Sequence, residues 1–309
     1  MSPNGTQRDP DSVSTHRPRR PPEVVVGVDE TPASLGAAAY GAQLAQQLQL
    51  GLRLVHAYGY PPVFVPYETY YLNDERHLAD ELLASVRDTL DVTGVSITRE
   101  VVLGAAVPQL QAAATRARVL VVGHQQATWG RRLLYGDVAS GLCSSSPTPV
   151  ITVPEGWQAA TDRSGPVVVA LDEASHAPDL MAFAVAHAQA TGTSVVVVHA
   201  EPGSNDTAAA ASSAELARIV DSWNGGAPEV SIGTRLVRDD VAPALHEASD
   251  GASLLVVGRE HHLLHLTSWA LSVGRAVLRD ARCPLAVVPV REHAVTESAP
   301  AAGHLTPAG

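Results

Sequence analysis

The feature that most constrains this chain is an internal repeat. Residues 24–30 (Val-Val-Val-Gly-Val-Asp-Glu) return as residues 167–173 (Val-Val-Val-Ala-Leu-Asp-Glu). Residues 54–57 (Leu-Val-His-Ala) return at the same offset as residues 197–200 (Val-Val-His-Ala). Ordered landmarks at a fixed spacing are typical of a duplicated structural unit. The sequence therefore predicts two copies of one domain in tandem.

Two further landmarks extend the repeat to the end of each copy. Residues 120–123 (Leu-Val-Val-Gly) return as residues 255–258, and residues 149–154 return as residues 284–289. This second offset is eight residues smaller, so the first copy carries an insertion before its third landmark. The insertion at residues 58–72 holds five of the chain's seven tyrosines. It predicts either a lid or interaction surface, or a loop folded back over its own domain.

Each copy alternates short apolar runs with helical segments. Residues 119–122 are apolar on both faces, as a parallel strand covered by helices must be. Thr31 predicts a helix cap, and Pro32 suits the first turn of that helix. A second helix is predicted from an apolar stripe made of Leu78, Leu82, Val86 and Leu90. We therefore expect a Rossmann-like α/β fold, with a five-stranded parallel sheet flanked by helices in each copy.

The domain boundaries follow from the repeat and from composition. The two copies are expected to occupy residues 23–154 and 166–290, joined by a polar linker at residues 155–165. Residues 1–22 and 291–309 lack hydrophobic periodicity, so we expect them to be disordered tails.

The composition excludes several kinds of function. The chain has no lysine, so all 21 basic residues are arginine, and neither a lysine-containing phosphate loop nor Schiff-base chemistry is available. The net charge of -11 argues against a nucleic-acid partner. Cys143 and Cys283 are too few for a disulfide framework. Since no apolar run reaches the ~18 residues of a membrane span, we expect a cytoplasmic protein without a membrane partner.

Polar and small residues follow the strands that form a candidate site. Asp29 follows the first strand and Gly123 the fourth, with Asp172 and Gly258 as their counterparts. Ligands of open parallel sheets bind beyond the carboxyl ends of the strands, so each pair would share one crevice if its two strands are neighbours. An aspartate there can accept hydrogen bonds from a nucleoside, and a glycine lets backbone amides approach a phosphate. The alternative is that both aspartates only stabilise a turn.

The four landmark strands resemble those of the universal stress protein family over about residues 23–290. The resemblance implies a fold of the adenine-nucleotide-binding type. It also implies a Gly-x2-Gly-x9-Gly-Ser/Thr segment after the fourth strand that holds the phosphates of ATP, while the early aspartate holds the nucleoside.

The first copy matches that family pattern in part. Gly123 and Gly136 match, whereas Gln126 replaces the second glycine and Asp137 replaces Ser or Thr. A carboxylate ~4 Å from a phosphate oxygen repels it by about 1 kcal/mol in water, unless a cation such as Mg²⁺ lies between them. Arg131 and Arg132 are either substitute phosphate ligands or solvated loop residues. The first-copy nucleotide set is Val28, Asp29, Gly123, Gln126, Gly136, Asp137 and Val138.

The second copy matches less well. Leu271 replaces the glycine that wraps the terminal phosphates in the family, so the second site is expected to bind ATP more weakly. The histidines at 261 and 265 are four apart, but no nearby carboxylate or cysteine completes a metal site, and we expect none. The second-copy nucleotide set is Asp172, Gly258, His261 and Ser272.

Taken with the resemblance, the residues predict a stress-response protein that binds an adenine nucleotide, ATP foremost, and acts through conformation or assembly. No catalytic base or lysine is evident, so an enzyme is not expected, although slow ATP hydrolysis stays open. His56 and His199 are interpreted as structural or as lining the base pocket. The resemblance further implies pairing of the two domains within the chain and a homodimer. The alternative function is a scaffold that has lost nucleotide binding and works through protein contacts.

Overall fold

The computed structural model describes residues 22–59, 68–125, 138–158, 165–201, 203, 205–260 and 281–290. The strands are β1 (Glu23–Gly27), β2 (Gly51–Tyr58), β3 (Ile97–Leu103), β4 (Val119–His124), β5 (Val150–Pro154), β6 (Val167–Ala170), β7 (Val195–Ala200), β8 (Ile232–Val237), β9 (Leu254–Glu260) and β10 (Leu285–Val290). The helices are α1 (Pro32–Gln47), α2 (Glu68–Thr89), α3 (Ala106–Ala114), α4 (Val138–Ser145), α5 (Ala177–Thr191), α6 (Asp206–Asn224) and α7 (Val241–Ser249), with a 3-10 turn at Ala174–His176 before α5.

All ten strands belong to one sheet, in the order β3-β2-β1-β4-β5-β10-β9-β6-β7-β8. The strands within each half are parallel, which confirms the predicted α/β class and the five parallel strands of each copy. The two five-stranded halves are continuous, because β5 and β10 pair antiparallel through three residue pairs. Each of these strands would otherwise expose an unpaired edge, and pairing them removes both edges.

The antiparallel joint fixes where ligands can bind. Because strand direction reverses between β5 and β10, the carboxyl ends of β1 and β4 lie at one rim of the sheet, and those of β6 and β9 lie at the opposite rim. The two candidate sites therefore face away from each other and cannot share one ligand.

The strands are buried on both faces. In β1, Val24 and Val26 join a core that extends through both halves of the sheet on one face, whereas Val25 joins a separate first-half core on the other face. The second half has its own core on that other face, around Leu255 and Leu285. This pattern agrees with strands covered by helices on both sides.

Helix α1 packs very close to the sheet. Thr31 is its N-cap and Pro32 lies in its first turn, as the sequence predicted. Its sheet-facing residues are small, and a Cβ added to Gly41 would lie 2.4 Å from Cγ2 of Val26. The glycine is thus needed for close approach of helix and strand.

The predicted stripe of α2 is confirmed except at its first residue. Val86 is buried, and Leu82 and Leu90 are partly buried against the core, whereas Leu78 is 63% exposed. Ala79 and Leu83 are almost completely buried and belong to the same face, because residues at i, i+4 and i+7 also lie on one side of a helix.

Several sequence predictions concern residues outside the described ranges. These are the terminal tails apart from residue 22, and the greater part of the tyrosine-rich insertion. In the linker, Trp157 packs edge-on against Tyr40 of α1, with ring centroids 5.3 Å apart. Among the described residues, no helix has both the length and the apolarity needed to cross a membrane.

A buried histidine predicts a pH dependence of stability. His187 on α5 stacks against Phe183, and burial lowers the pKa of its imidazole from 6.5 to about 4. The unfolded chain therefore binds more protons than the folded chain between these values. We expect the His187 contribution to be complete above pH 6.5 and to be lost as the pH falls towards about 4, by up to about 1.4 kcal/mol per pH unit.

Urea unfolding at several pH values between 4 and 7 measures this loss. His187→Phe removes the titrating group, so its unfolding free energy should fall less steeply over the same interval. If the unfolding free energies of the two proteins fall equally steeply with decreasing pH, His187 does not cause the pH dependence.

Candidate functional site

The first candidate site lies where β1 and β4 end side by side. Gly27 pairs with Val122, so Asp29 and Gly123 follow a matched pair at the same rim. The predicted adjacency of the first and fourth strands is confirmed. In the second half, Ala170 pairs with Val257 in the same way.

Asp29 organises the turn that leads into α1. Its Oδ1 accepts a hydrogen bond from the Thr31 amide at 2.9 Å and another from the Thr31 hydroxyl. Thr31 Oγ1 in turn accepts from the Ser34 amide, which caps the helix. The turn-stabilising role of Asp29 is therefore present. Its second oxygen, Oδ2, has no hydrogen-bond partner among the described residues and remains available to a ligand.

Gly123 is required for packing at the same place. A Cβ built on Gly123 would lie 2.5 Å from the carbonyl carbon of Ala33 and 2.6 Å from the Ser34 amide nitrogen. The first turn of α1 thus occupies the space that a side chain would need. The sequence interpretation, that the glycine makes room for a phosphate, overlooked this neighbour.

Ser34 joins the two predicted site residues. Its hydroxyl accepts a hydrogen bond from the Asp29 amide at 2.9 Å, and its own amide lies against Gly123. Sequence reasoning did not identify Ser34. Its place three residues after a Thr-Pro helix start was the available signal, because the first turn of a helix leaves amides and short side chains free to bond locally.

His56 ties the end of β2 to the end of β1. Its Nδ1 lies 2.7 Å from the carbonyl oxygen of Val28, and since that oxygen only accepts, Nδ1 carries the proton. His199 makes the same 2.7 Å contact with the carbonyl oxygen of Leu171 in the second half. Both histidines therefore link the ends of two neighbouring strands.

Of the remaining candidate residues of the first site, the structure describes Val28 and Val138. Val28 is 4% exposed at the base of the rim, and Val138 is the first residue of α4. Gln126, Gly136 and Asp137, together with Arg131 and Arg132, lie outside the described residues. A helix that begins at the rim presents free amides and the positive end of its dipole, which suits an anion.

The second candidate site is built differently around Asp172. Its Oδ1 accepts a hydrogen bond from the Glu173 amide at 2.8 Å and lies 3.0 Å from Nδ1 of His176, which is buried. No threonine caps the helix here, because Ala174 stands where Thr31 stands in the first copy. A 3-10 turn at Ala174–His176 replaces the capped helix start.

Gly258 lacks the close backbone contact that Gly123 makes in the first half. Among the described residues, the atoms nearest to a Cβ on Gly258 are side-chain methyl groups, with Cγ1 of Val290 at 3.3 Å and Cδ1 of Leu180 at 3.7 Å. The backbone of the helix start does not approach it as Ala33 approaches Gly123. The other second-copy candidates, His261 and Ser272, lie outside the described residues.

Further polar groups at the second rim bond to one another. Nε2 of His199 lies 3.6 Å from Oε1 of Glu201, and the Ser212 hydroxyl donates to the same oxygen. In the first copy, Tyr58 occupies the position of Glu201. Asp172 and His199, the second-copy residues that match Asp29 and His56, are thus both engaged by neighbouring side chains.

The described part of the chain holds no group of three or more His, Cys, Asp and Glu side chains that could bind a metal ion.

Comparison with known proteins agrees with this fold. The sequence profile described as the universal stress protein family matches residues 22–154 and, a second time, residues 164–289. A universal stress protein of Mycobacterium tuberculosis is 30% identical over 286 residues, which cover 85% of this chain and 95% of the relative. A second from the same organism is 30% identical over 291 residues, covering 88% and 98%. The chain belongs to the universal stress protein family.

A solved structure shares this architecture over most of both chains. A universal stress protein from Archaeoglobus fulgidus superimposes with a TM-score of 0.69 at 16% identity, covering 85% of this chain and 97% of that chain. A universal stress protein solved in complex with cAMP is 26% identical and covers 44% of this chain and 98% of that chain, with a TM-score of 0.36.

Proposed function

We propose that this universal stress protein binds an adenine nucleotide, ATP foremost, at the rim formed by β1 and β4 in its first domain. The observation that carries the proposal is the free Oδ2 of Asp29, held at the rim by the bonds that Thr31 makes to Oδ1. A fixed carboxylate oxygen is a good acceptor for the hydroxyl groups of a ribose.

Charge placement supports the same site. Asp29 belongs at the nucleoside end, whereas the start of α4 at Val138 offers amides to the phosphates. Asp137 directly precedes that helix, so bound ATP would carry Mg²⁺ to screen its carboxylate from the phosphates. The family resemblance assigns these same two regions to nucleoside and phosphate.

The second domain is proposed to bind nucleotide weakly or not at all. His176 and the Glu173 amide engage the carboxylate of Asp172, and the helix start that crosses Gly123 in the first domain has no equivalent over Gly258. Oδ2 of Asp172 has no hydrogen-bond partner among the described residues either, so what sets the second domain apart is Gly258 and the helix start without a threonine cap.

We further propose that the protein signals through binding rather than catalysis. His56, at the end of β2 beside the first rim, bonds to a backbone carbonyl rather than to a nucleophile. The two domains would act as one unit in the cytoplasm, joined through β5 and β10, and a homodimer would form from two such chains.

A direct measurement tests the proposal. Protein purified from cells is denatured and the released small molecules are identified by mass spectrometry, and calorimetric titrations follow with ATP, ADP and AMP, with and without Mg²⁺. We expect one ATP site per chain that is strengthened by Mg²⁺. Absence of bound nucleotide and of binding heat at millimolar ligand would instead support the scaffold function, in which Asp29 serves only the turn.

Asp29→Asn separates the ligand role from the turn role. An asparagine keeps an oxygen that can accept from Thr31, so the thermal midpoint should stay close to that of the wild type. It loses the second acceptor oxygen and the charge, so ATP affinity should fall about tenfold, the size of one charge-assisted hydrogen bond. Asp172→Asn is the matched control and should leave ATP affinity unchanged. Equal losses in both variants would show that the ranking of the domains is wrong.

A further inference from the structure

A side chain of the second domain holds a helix of the first. Arg259 on β9 donates from Nη1 to the carbonyl oxygen of Ser144 at 3.2 Å and from Nη2 to the carbonyl oxygen of Ser146. These carbonyls stand at the C-terminal end of α4, where the helix has no intrahelical donors left for them. The cation also neutralises the negative end of the helix dipole.

The position of Arg259 follows from strand alternation. Leu255 and Val257 belong to the second-half core on one face of the sheet, and Arg259, two residues further, points to the same face. Helix α4 covers that face in the first half, where Leu142 packs into the core. The guanidinium thus crosses from one domain to the other beside the β5–β10 joint.

Arg259 is partly withdrawn from water. Burial lowers the pKa of its guanidinium, while the neighbouring Cys143 thiol acts in the opposite direction. Among the described residues, its side-chain hydrogen-bond partners are the two carbonyl oxygens at the end of α4. A partly buried arginine bound in this way is more costly to lose than an exposed one.

Helix α4 extends between the two rims of the sheet. It begins at Val138, at the rim of the first candidate site, and runs back towards the start of β5. Since the halves are antiparallel, that far end lies at the rim where β9 ends, and Arg259 is there, one residue after Gly258. Eight residues of helix, about 12 Å, therefore connect the first site with a residue next to the second.

We propose that Arg259 is a positioning residue for the first-domain site. By holding the C-terminal end of α4, it fixes the helix whose other end meets the ligand, so nucleotide binding by the first domain depends on the second domain. The inference rests on the proposed nucleotide function and adds to it a role for the domain that binds nucleotide poorly. His124 occupies the matching place in the first copy, one residue after Gly123, and is buried.

The test uses the full chain and ATP with Mg²⁺. Arg259→Met removes both hydrogen bonds and keeps a long apolar stem, and we expect ATP affinity to fall about five- to tenfold by calorimetry. Arg259→Lys should recover part of the loss, because an ammonium can donate to one of the carbonyls but cannot span both as the fork does. Arg235→Met, which removes an exposed arginine from the same domain, should bind ATP within about twofold of the wild type.

Hydrogen exchange gives a second readout that needs no ligand. The amides of residues 141–145 should exchange faster in Arg259→Met than in the wild type or Arg235→Met. A wild-type chain that binds ATP, with unchanged affinity in Arg259→Met, overturns the positioning role even if α4 exchanges faster. A wild-type chain that binds no ATP removes the proposed function and this inference together. If Arg259→Met does not fold, an unchanged affinity in Arg259→Lys overturns the inference.

Discussion

Gly123→Ala is expected to destabilise the first domain by about 3 kcal/mol and to abolish its nucleotide binding. The new methyl group would lie 2.5–2.6 Å from the backbone of Ala33 and Ser34, which cannot rotate away as a side chain can. The start of α1 would have to lift off the sheet. Because Asp29 is bonded to Ser34 and Thr31, the nucleoside acceptor would move with it.

Gly258→Ala is a control with the same chemistry at the matching position. Its methyl group would meet only methyl groups of Val290 and Leu180, at 3.3 Å or more, and these can adjust. We expect a change of less than about 1 kcal/mol. Urea and thermal unfolding of both variants measure the difference. Equal destabilisation would mean that close packing of α1 is not what the glycine provides.

Arg53→Met should lower the unfolding free energy by about 3 kcal/mol. The Arg53 side chain is 13% exposed, and its guanidinium lies 2.7 Å from carboxylate oxygens of Glu23 and Glu100 and donates to the carbonyl of Ala113. It thus joins three neighbouring elements of the first domain. Its removal leaves a largely buried Glu23 carboxylate without its cation.

Arg238→Met provides the comparison at an exposed pair. Nη2 of Arg238 lies 2.8 Å from Oδ1 of Asp206, a similar distance, but these side chains are 56% and 92% exposed. Solvent screens such a pair, so its loss should cost less than about 1 kcal/mol. Urea unfolding distinguishes the two variants, and similar losses would contradict the argument that burial determines the cost. The second copy has Val196 and Pro166 at the positions of Arg53 and Glu23, so it does without this network.

Much of the fold could be predicted because it depends on local patterns. Doubly apolar runs such as residues 119–122 identify covered parallel strands, and Thr31 with Pro32 identifies the start of α1. The adjacency of β1 and β4 followed from the usual winding of such sheets. These features need only the spacing of residues along the chain.

The remaining features depend on contacts between distant residues. Nothing near Arg259 in the sequence indicates that it binds α4 of the other domain, more than a hundred residues away. The sequence correctly placed Gly123 at the rim. Only the structure shows that the glycine is needed because the backbone of Ala33 occupies the space of a side chain. In α2, Leu78 is exposed while Ala79 and Leu83 are buried, and this too depends on how the helix is rotated against the sheet.

The antiparallel pairing of β5 with β10 within one chain has an evolutionary consequence. In a symmetric dimer of single-domain chains, every substitution appears twice, so a change that suits one partner also alters the other. A covalent tandem removes that restriction, and its two halves meet at a local concentration that dilution cannot change. One half is then free to lose a ligand and specialise as support for the other. Thr31 and Ala174, at matching positions, show that the two halves already differ at the start of this helix.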